Sequence, residues 1–157
     1  MLKLKKTGML VLIILLSFSL VNCGLLVDRH SEERCVERAL DLSLENASLL
    51  ENHRDHGYDG TLCYHAFSVP DGFEDQLSDQ WKNGSAPAEA MEICNASSYQ
   101  NGKRVINFPT VDGGLYYYEY FNDGENERIR LAVLDTDNNV LYYFFASGQA
   151  IIYPRNK

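Results

Sequence analysis

Leu115-Tyr116-Tyr117-Tyr118-Glu119-Tyr120-Phe121 runs into Asn122-Asp123-Gly124, and two further extended stretches follow, Arg128 to Leu134 and Val140 to Ala146. These residues decide the fold. Aromatic and β-branched side chains at a period of two fit a pleated strand. The Asn, Asp and Gly residues between the runs supply the left-handed conformations that tight turns need, and Thr136-Asp137-Asn138-Asn139 is a second such turn. Short loops between successive strands imply antiparallel pairing in a meander. Tyr116, Tyr118 and Tyr120 then project from one face, while Leu115, Tyr117, Glu119 and Phe121 project from the other.

Working outward, Val105-Ile106-Asn107-Phe108 predicts a strand before these three, after Asp112-Gly113-Gly114 is assigned to a turn, and Gln149 to Tyr153 a further one behind them. Upstream the period lengthens. Ser31 is placed to cap a helix with Glu32 and Glu33 in its first turn, and Val36, Leu40, Ser43 or Leu44, Ala47 and Leu50 carry a helical stripe over roughly 32–52, closed by His53, Arg54 and Gly57. Thr61 to Val69 predicts a short strand between Gly60 and Pro70. A second helix is expected from Asp71, with Phe73, Leu77 and Trp81 on one stripe and Asn83-Gly84 at its end. A third follows Ser85, with Pro87 in its first turn and Met91 and either Cys94 or Ile93 turned inward. The expected fold class is α+β: N-terminal helices packed on a C-terminal antiparallel meander of about four to five strands.

The chain has 157 residues, 14 Lys+Arg against 22 Asp+Glu, and a formal net charge of −8. Its 45% hydrophobic content fits a packed domain rather than a disordered chain. No basic surface exists to neutralise a phosphate backbone, so nucleic acid is excluded as an expected partner.

Residues 1–22 have the layout of an export signal. Lys3, Lys5 and Lys6 precede the apolar run Met9 to Leu16, and the segment ends at Leu20-Val21-Asn22-Cys23. This stretch resembles a bacterial lipoprotein signal peptide with a loose, spirochaete-type lipobox, in which Asn22 stands where Gly, Ala or Ser is usual. The resemblance covers about the first 24 residues and implies lipid attachment at Cys23; the stretch behind it shows no helical or strand period and reads as a tether over 23–30, and the length allows a single domain over 31–157. The resemblance also implies export and anchoring in the bacterial envelope, at the outer membrane or cell surface. Acyl chains hold at about 0.8 kcal/mol per buried CH₂, so several on one Cys anchor a soluble domain. Loss of Lys3, Lys5 and Lys6 with the leader leaves 11 Lys+Arg against 22 Asp+Glu, a net −11 over 135 residues. Such a surface is repelled by anionic headgroups, so the lipid would do the anchoring. Cleavage by an ordinary signal peptidase, or retention of Met9 to Val27 as a signal anchor, are the competing outcomes.

With Cys23 lipidated, Cys35, Cys63 and Cys94 allow one disulfide in any of three pairings and one free thiol. No Cys-x-x-Cys pair suggests a redox motif or a zinc ribbon. His53-Arg54-Asp55-His56-Gly57-Tyr58-Asp59 gathers two His and two Asp, without the spacing of a closed metal site. Asp135-Thr136-Asp137-Asn138-Asn139 begins like a calcium loop, but Val140 and Ala146 stand where that loop needs Gly and Glu. No nucleophile elbow is present, and no catalytic nucleophile or acid can be matched to His65 by sequence. No cofactor is expected.

Tyr-rich strands remain the most distinctive feature. Cross-strand ring pairs account for them at roughly 0.2–1 kcal/mol each, whereas a contiguous exposed patch would be a recognition surface. Tyr116, Tyr118, Tyr120 and Tyr142 are the candidate contact face for a protein partner. The expectation is therefore a non-catalytic, membrane-anchored binding or assembly lipoprotein. The alternative is a soluble secreted enzyme or inhibitor with a site around His53, His56, Asp59 and His65.

Overall fold

A computed structural model describes residues 31–57, 59–100 and 103–154. The expected signal peptide, Cys23 and the tether over 23–30 lie outside the described residues. The chain divides into two compact units, residues 1–42 and 43–157. In the first, residues 31–40 form helix α1, with Val36 and Leu40 buried and Cys35 exposed.

The second unit is mixed α+β. Its strands are β1 (Ser48–Gly57), β2 (Gly60–Ser68), β3 (Lys82–Asn83), β4 (Tyr99–Gln100), β5 (Lys103–Arg104), β6 (Leu115–Asn122), β7 (Glu127–Asp135) and β8 (Val140–Gly148), with helix α2 (Ala88–Ser97) between β3 and β4. Six of these strands form one antiparallel sheet in the order β1-β2-β8-β7-β6-β3, and β4 pairs β5 separately. The expected meander is β6-β7-β8, and the β1–β2 hairpin adds to its β8 edge. Register follows the alternation: Tyr64, Phe144 and Leu131 face one another across three strands, as do His65, Tyr143 and Ala132 on the other face.

The first face forms the main core. Leu62, Tyr64 and Ala66 of β2, Ile129, Leu131 and Val133 of β7, and Phe144 and Ala146 of β8 pack with Ala90, Ile93 and Cys94 of α2. Ile106 and Phe108, on the extended segment after β5, join them. Phe108 meets Tyr64, Tyr142 and Phe144 edge-on, with centroids 6.1–6.3 Å apart, a geometry favoured by the ring quadrupoles. The opposite face is also apolar at its centre: Phe67, Ala132, Leu134, Leu141 and Tyr143 are buried, and Trp81 packs 6.0 Å from Tyr117. A sheet covered on both faces needs near-continuous hydrophobic strands, which Leu131-Ala132-Val133-Leu134 supplies.

Four expectations are corrected. The helix over 32–52 ends at residue 40, because Asp41 and Asn46 take left-handed φ of 52° and 68°; Leu44 is buried in the connecting turn. Residues 48–57, with His53 and Arg54, instead pair with β2 along their whole length, broken only by a bulge at Leu49/Glu51. The helix from Asp71 shrinks to one 3₁₀ turn, Phe73–Gln76, since Gly72 at its start is left-handed without a side-chain cap and Leu77 is already extended. Phe73 and Trp81 are nonetheless buried as expected. Val105 to Phe108 and Gln149 to Tyr153 are not strands of the sheet; they are extended or bent segments whose Ile106, Phe108 and Ile151 plug into the core. α2 starts after Pro87 rather than at Ser85, with the Pro87 carbonyl accepting from the Met91 N–H, as suits a residue lacking its own donor.

Where the β1–β2 turn meets the end of β8, backbones approach without room for side chains. Gly148 has φ 57°, and a Cβ there would overlap the Asp59 carbonyl oxygen; one on Gly60 would lie 2.8 Å from the Ala150 nitrogen. Gly124 in the β6–β7 turn has φ 90° with open space around it. Gly124→Ala is therefore expected to cost about 1–2 kcal/mol, the strain of a left-handed L-residue, and Gly148→Ala distinctly more, because it adds a backbone clash to similar strain. Chemical denaturation of both variants checks the order; equal losses would show that the junction yields.

Candidate functional site

The register separates the residues of the His-rich cluster. Glu51, His53 and Asp55 stand opposite Ala66, Tyr64 and Leu62, on the α2 face, whereas Asn52, Arg54 and His56 stand opposite His65, Cys63 and Thr61, on the other. His56 Nδ1 lies 3.1 Å from Thr61 Oγ1, and Arg54 Nε donates to His56 Nε2. His65 is buried mid-sheet, stacked on Tyr143 at 6.1 Å. Asp59 sits in the turn at the strand ends. His53, His56, Asp59 and His65 thus do not converge, and among the described residues no group of three or more His, Cys, Asp or Glu is arranged to hold a metal.

The calcium-like stretch is a hairpin turn. Asp135 Oδ1 accepts from the backbone N–H of Asp137 and Asn138, at 3.1 and 3.0 Å, and Asn139 takes φ 52°. The Asn139 amide donates to Asp71 at 2.7 Å, tying this turn to the segment after β2. Among the cysteines, Cys94 on α2 belongs to the main core, and burial pushes its thiol pKa up. Cys63 is on the opposite sheet face, so the sheet separates it from Cys94. Among the described residues no disulfide is formed.

The Tyr face is split by the packing. Tyr116, Tyr118 and Tyr142 lie half-buried against the main core beside α2 and Phe108, and burial raises the pKa of Tyr118 and Tyr142. Tyr120, past the reach of α2, is 46% exposed. It is not alone. Of the six large apolar side chains exposed among the described residues, five are Tyr99, Tyr120, Phe121, Ile152 and Tyr153. They gather at the end of the sheet where the β1–β2 and β6–β7 turns meet the chain leaving β8. Single exposed rings are ordinary; several at one end of a sheet are what makes that end the candidate contact surface.

A carboxylate sits at the centre of this end. Glu127 Oε1 accepts from Tyr120 at 2.6 Å and from Tyr153, the two phenol oxygens lie 3.2 Å apart, and the Asn122 amide donates to Tyr120 at 3.1 Å. These donors hold the Glu127 carboxyl below the ordinary range, Tyr120 first; burial and the bond to Glu127 raise Tyr153. Beside it, Arg128 lies over the Phe121 ring at 4.4 Å. One strand pair further in, Arg130 donates to Glu119 at 2.6 Å across β7–β6. Three clefts open at this end. One of about 280 Å³ is lined by Asp55, Asp59, Leu62, Tyr99 and Ile152, among others; two of about 580 and 590 Å³ flank the β6–β7 turn and both include Glu125 and Glu127, the first also Asp123. Asp59 borders all three.

Sequence reasoning picked Tyr120 and Asp59 but missed Tyr99, Ile152, Tyr153 and Glu127. The first three sit in segments of no regular period, and Glu127 was one carboxylate among many. The Tyr-x-Tyr alternation does place Tyr120 on the α2 face; only the length of α2 shows that it lies beyond cover.

No protein-family model, curated protein or solved structure matches this chain.

The Glu127 cluster gives the domain a defined acid response. A carboxyl whose folded pKa is depressed contributes stability above its unfolded pKa, near 4.3, and loses it as pH falls through the folded value. Glu127→Gln should therefore flatten the acid limb of the stability curve below about pH 4.5 and cost under about 1 kcal/mol at pH 7, since the group is solvent-screened. Thermal unfolding from pH 2 to 7 checks this; an unchanged acid limb would show that the phenols contribute nothing.

Proposed function

We propose that this chain is an exported lipoprotein of the bacterial envelope, anchored through lipid on Cys23, whose domain binds a protein partner through its aromatic sheet end and catalyses no reaction. The leader carries the proposal: a basic start at Lys3, Lys5 and Lys6, the apolar run Met9 to Leu16, and Cys23 at its boundary. Among the described residues no helix is long and apolar enough to cross a membrane, and a lipid would give the domain its attachment without one. Several acyl chains bury enough methylene to make such attachment stable, where a single chain is reversible.

Support for a binding role comes from the exposed rings. Tyr offers a large amphipathic contact area with two side-chain torsions to fix, the property that favours it at recognition surfaces. Tyr120 is exposed against Tyr153, Tyr99 shares a cleft with Ile152, and Phe121 is exposed on the other face of the same sheet end, so the open end is the contact area this reading assigns to the Tyr-rich strands. Tyr116, Tyr118 and Tyr142 stabilise the sheet beneath it.

Two measurements test the halves separately. Cys23→Ala should move the protein from the membrane pellet to the soluble fraction; full retention with normal leader processing would sink the lipid anchor. A photo-reactive benzoyl-phenylalanine at position 120 should cross-link one defined protein in intact cells, and the same probe at exposed Thr136, at the far end of the sheet, should not. Equal labelling from both positions would overturn the contact surface.

A further inference from the structure

We propose that the outer edge of β6, from Tyr118 to Asn122, takes an extended segment of the partner protein as an added antiparallel strand. This rests on the binding reading above and names how the contact is made. β6 pairs with β7 along all eight of its residues, Leu115 to Asn122, without a bulge. On its other side it is covered only by β3, whose Lys82 and Asn83 stand opposite Tyr116 and Leu115. Before Lys82 the chain bends away, with the Trp81 N–H donating to the Ser78 carbonyl at 3.1 Å.

Two hydrogen bonds fix which backbone groups of β6 are left over. Continuing the β3–β6 register, the Gly84 N–H donates to the Gly114 carbonyl at 3.0 Å; continuing the β6–β7 register, the Asp123 N–H donates to the Asn126 carbonyl at 3.3 Å. Antiparallel pairs exchange their bonds at alternate residues, and both bonds give the same phase. Tyr117, Glu119 and Phe121 bond to β7, while Tyr118, Tyr120 and Asn122 aim N–H and C=O outward. Among the described residues no backbone group meets them there. Alternate residues of a strand repeat at roughly 6.7 Å, so these donor and acceptor pairs match the edge of another strand.

This edge carries none of the usual protection. Exposed edges are ordinarily blunted by Pro, Lys, a bulge or an unpaired charge. Residues 117–122 contain no Pro, Gly or Lys, and their one charge, Glu119, is taken up by Arg130 of β7 at 2.6 Å. The opposite edge of the same sheet, β1, has the bulge at Leu49/Glu51 and a run of exposed polar side chains. One edge is closed to other chains and the other is open. The open one is continuous with the exposed rings, because Tyr120 and Phe121 belong to it.

The surroundings of the edge name its occupant. Tyr118 and Tyr120 flank it on the α2 face, and Tyr117 and Phe121 on the other, so β-branched or aromatic side chains on both faces of an added strand gain cross-strand partners. Lys82 stands at the Tyr116 end, and Asp123 and Glu125 lie in the turn beyond Asn122. An antiparallel strand begins beside that acidic turn and ends beside Lys82, so a segment with a basic N-terminal end is charge-complementary in this direction. Strand addition of this kind takes its affinity from the main chain and its selectivity from alternate side chains.

The test uses the full chain in neutral detergent, ¹⁵N-labelled, and reads amide hydrogen exchange. In the free protein the amides of Tyr118, Tyr120 and Asn122 should exchange at least tenfold faster than those of Tyr117, Glu119 and Phe121. Equal protection of the two sets would show an edge already closed and overturn the proposal. Capped Arg-Val-Thr-Val-Thr-Val should then slow the first set at least tenfold, saturably, and leave the β1 amides unchanged. N-methylating one alternate set of peptide residues should abolish this protection, and N-methylating the other set should spare it. No added protection at millimolar peptide, protection of β1 in place of β6, or equal loss from both methylated peptides would each overturn strand addition. Asn122→Pro removes one outward N–H without breaking a bond to β7, and should bind the peptide at least fivefold more weakly than Asn122→Ala; equal affinity would count against the edge. Should Asn122→Pro not fold, the two methylated peptides make the same comparison on the unaltered protein. Cross-linking from position 120 reads the contact surface separately, so a retained cross-link without peptide protection removes strand addition and leaves that surface standing.

Discussion

The place of β8 between β2 and β7 is the constraint on which the other parts of the sheet depend. Eight of its nine residues, Val140 to Ser147, pair with both neighbouring strands, so each of their side chains has its neighbours fixed by two registers at once. Phe144 meets Tyr64 and Leu131 on one face, while Tyr143 meets His65 and Ala132 on the other. A slip of one residue in either pairing would exchange these sets between faces. Since both centres are buried, such a slip would place the half-buried Arg130 row against the main core. The two-sided burial of β8 therefore specifies register twice over, and the hairpins on either side inherit it.

That constraint also explains why uncovered aromatic and acidic side chains gather at one end. The sheet's middle is saturated by its own rings, and α2 with the Phe108 segment closes over Tyr116, Tyr118 and Tyr142. Where β8 stops at left-handed Gly148, the chain turns across the Asp59 carbonyl and runs out past Ser97. Cover ends there, and the side chains beyond it, Tyr120, Tyr153, Phe121, Tyr99 and Ile152, are the exposed ones. An acidic chain tolerates such rings in water because Asp55, Asp59, Asp123, Glu125 and Glu127 stand among them and like charge opposes self-association.

Legibility in the sequence followed burial pattern. β2, β6, β7 and β8 were readable because each has strong alternation or a continuous apolar run closed by Gly, Asn or Asp. β1 was not. Residues 48–57 form an edge strand with Glu51, Asn52, Arg54, Asp55 and His56 all exposed, so neither face leaves a period of two, and the chance spacing of Leu40, Leu44 and Ala47 extended the helix into it. Polar, bulged edges of this kind suppress pairing with other chains, and the same device erases the strand signal. Phe73 and Trp81 show the complementary case: their shared stripe was legible, but the helix assigned to carry them was not, since a single 3₁₀ turn or an extended loop can deliver a ring to a core as well as a helix can.

The candidate site was legible only in fragments for a related reason. Its parts come from five places in the chain: Asp55 and Asp59 at the first hairpin, Tyr99 after α2, Tyr120 and Phe121 on β6, Glu127 at the start of β7, and Ile152 and Tyr153 beyond β8. No two share a local motif. What joins them is antiparallel pairing, which returns alternate strand ends to one edge of the sheet, so residues far apart in sequence become neighbours because each ends or begins a strand. Tyr120 and Tyr153 illustrate the point: 33 positions apart, they share one carboxylate oxygen of Glu127. In a fold of this topology the residues to examine are therefore those flanking the turns at a single end, and here that rule selects the acidic and aromatic side chains that the strands themselves leave uncovered.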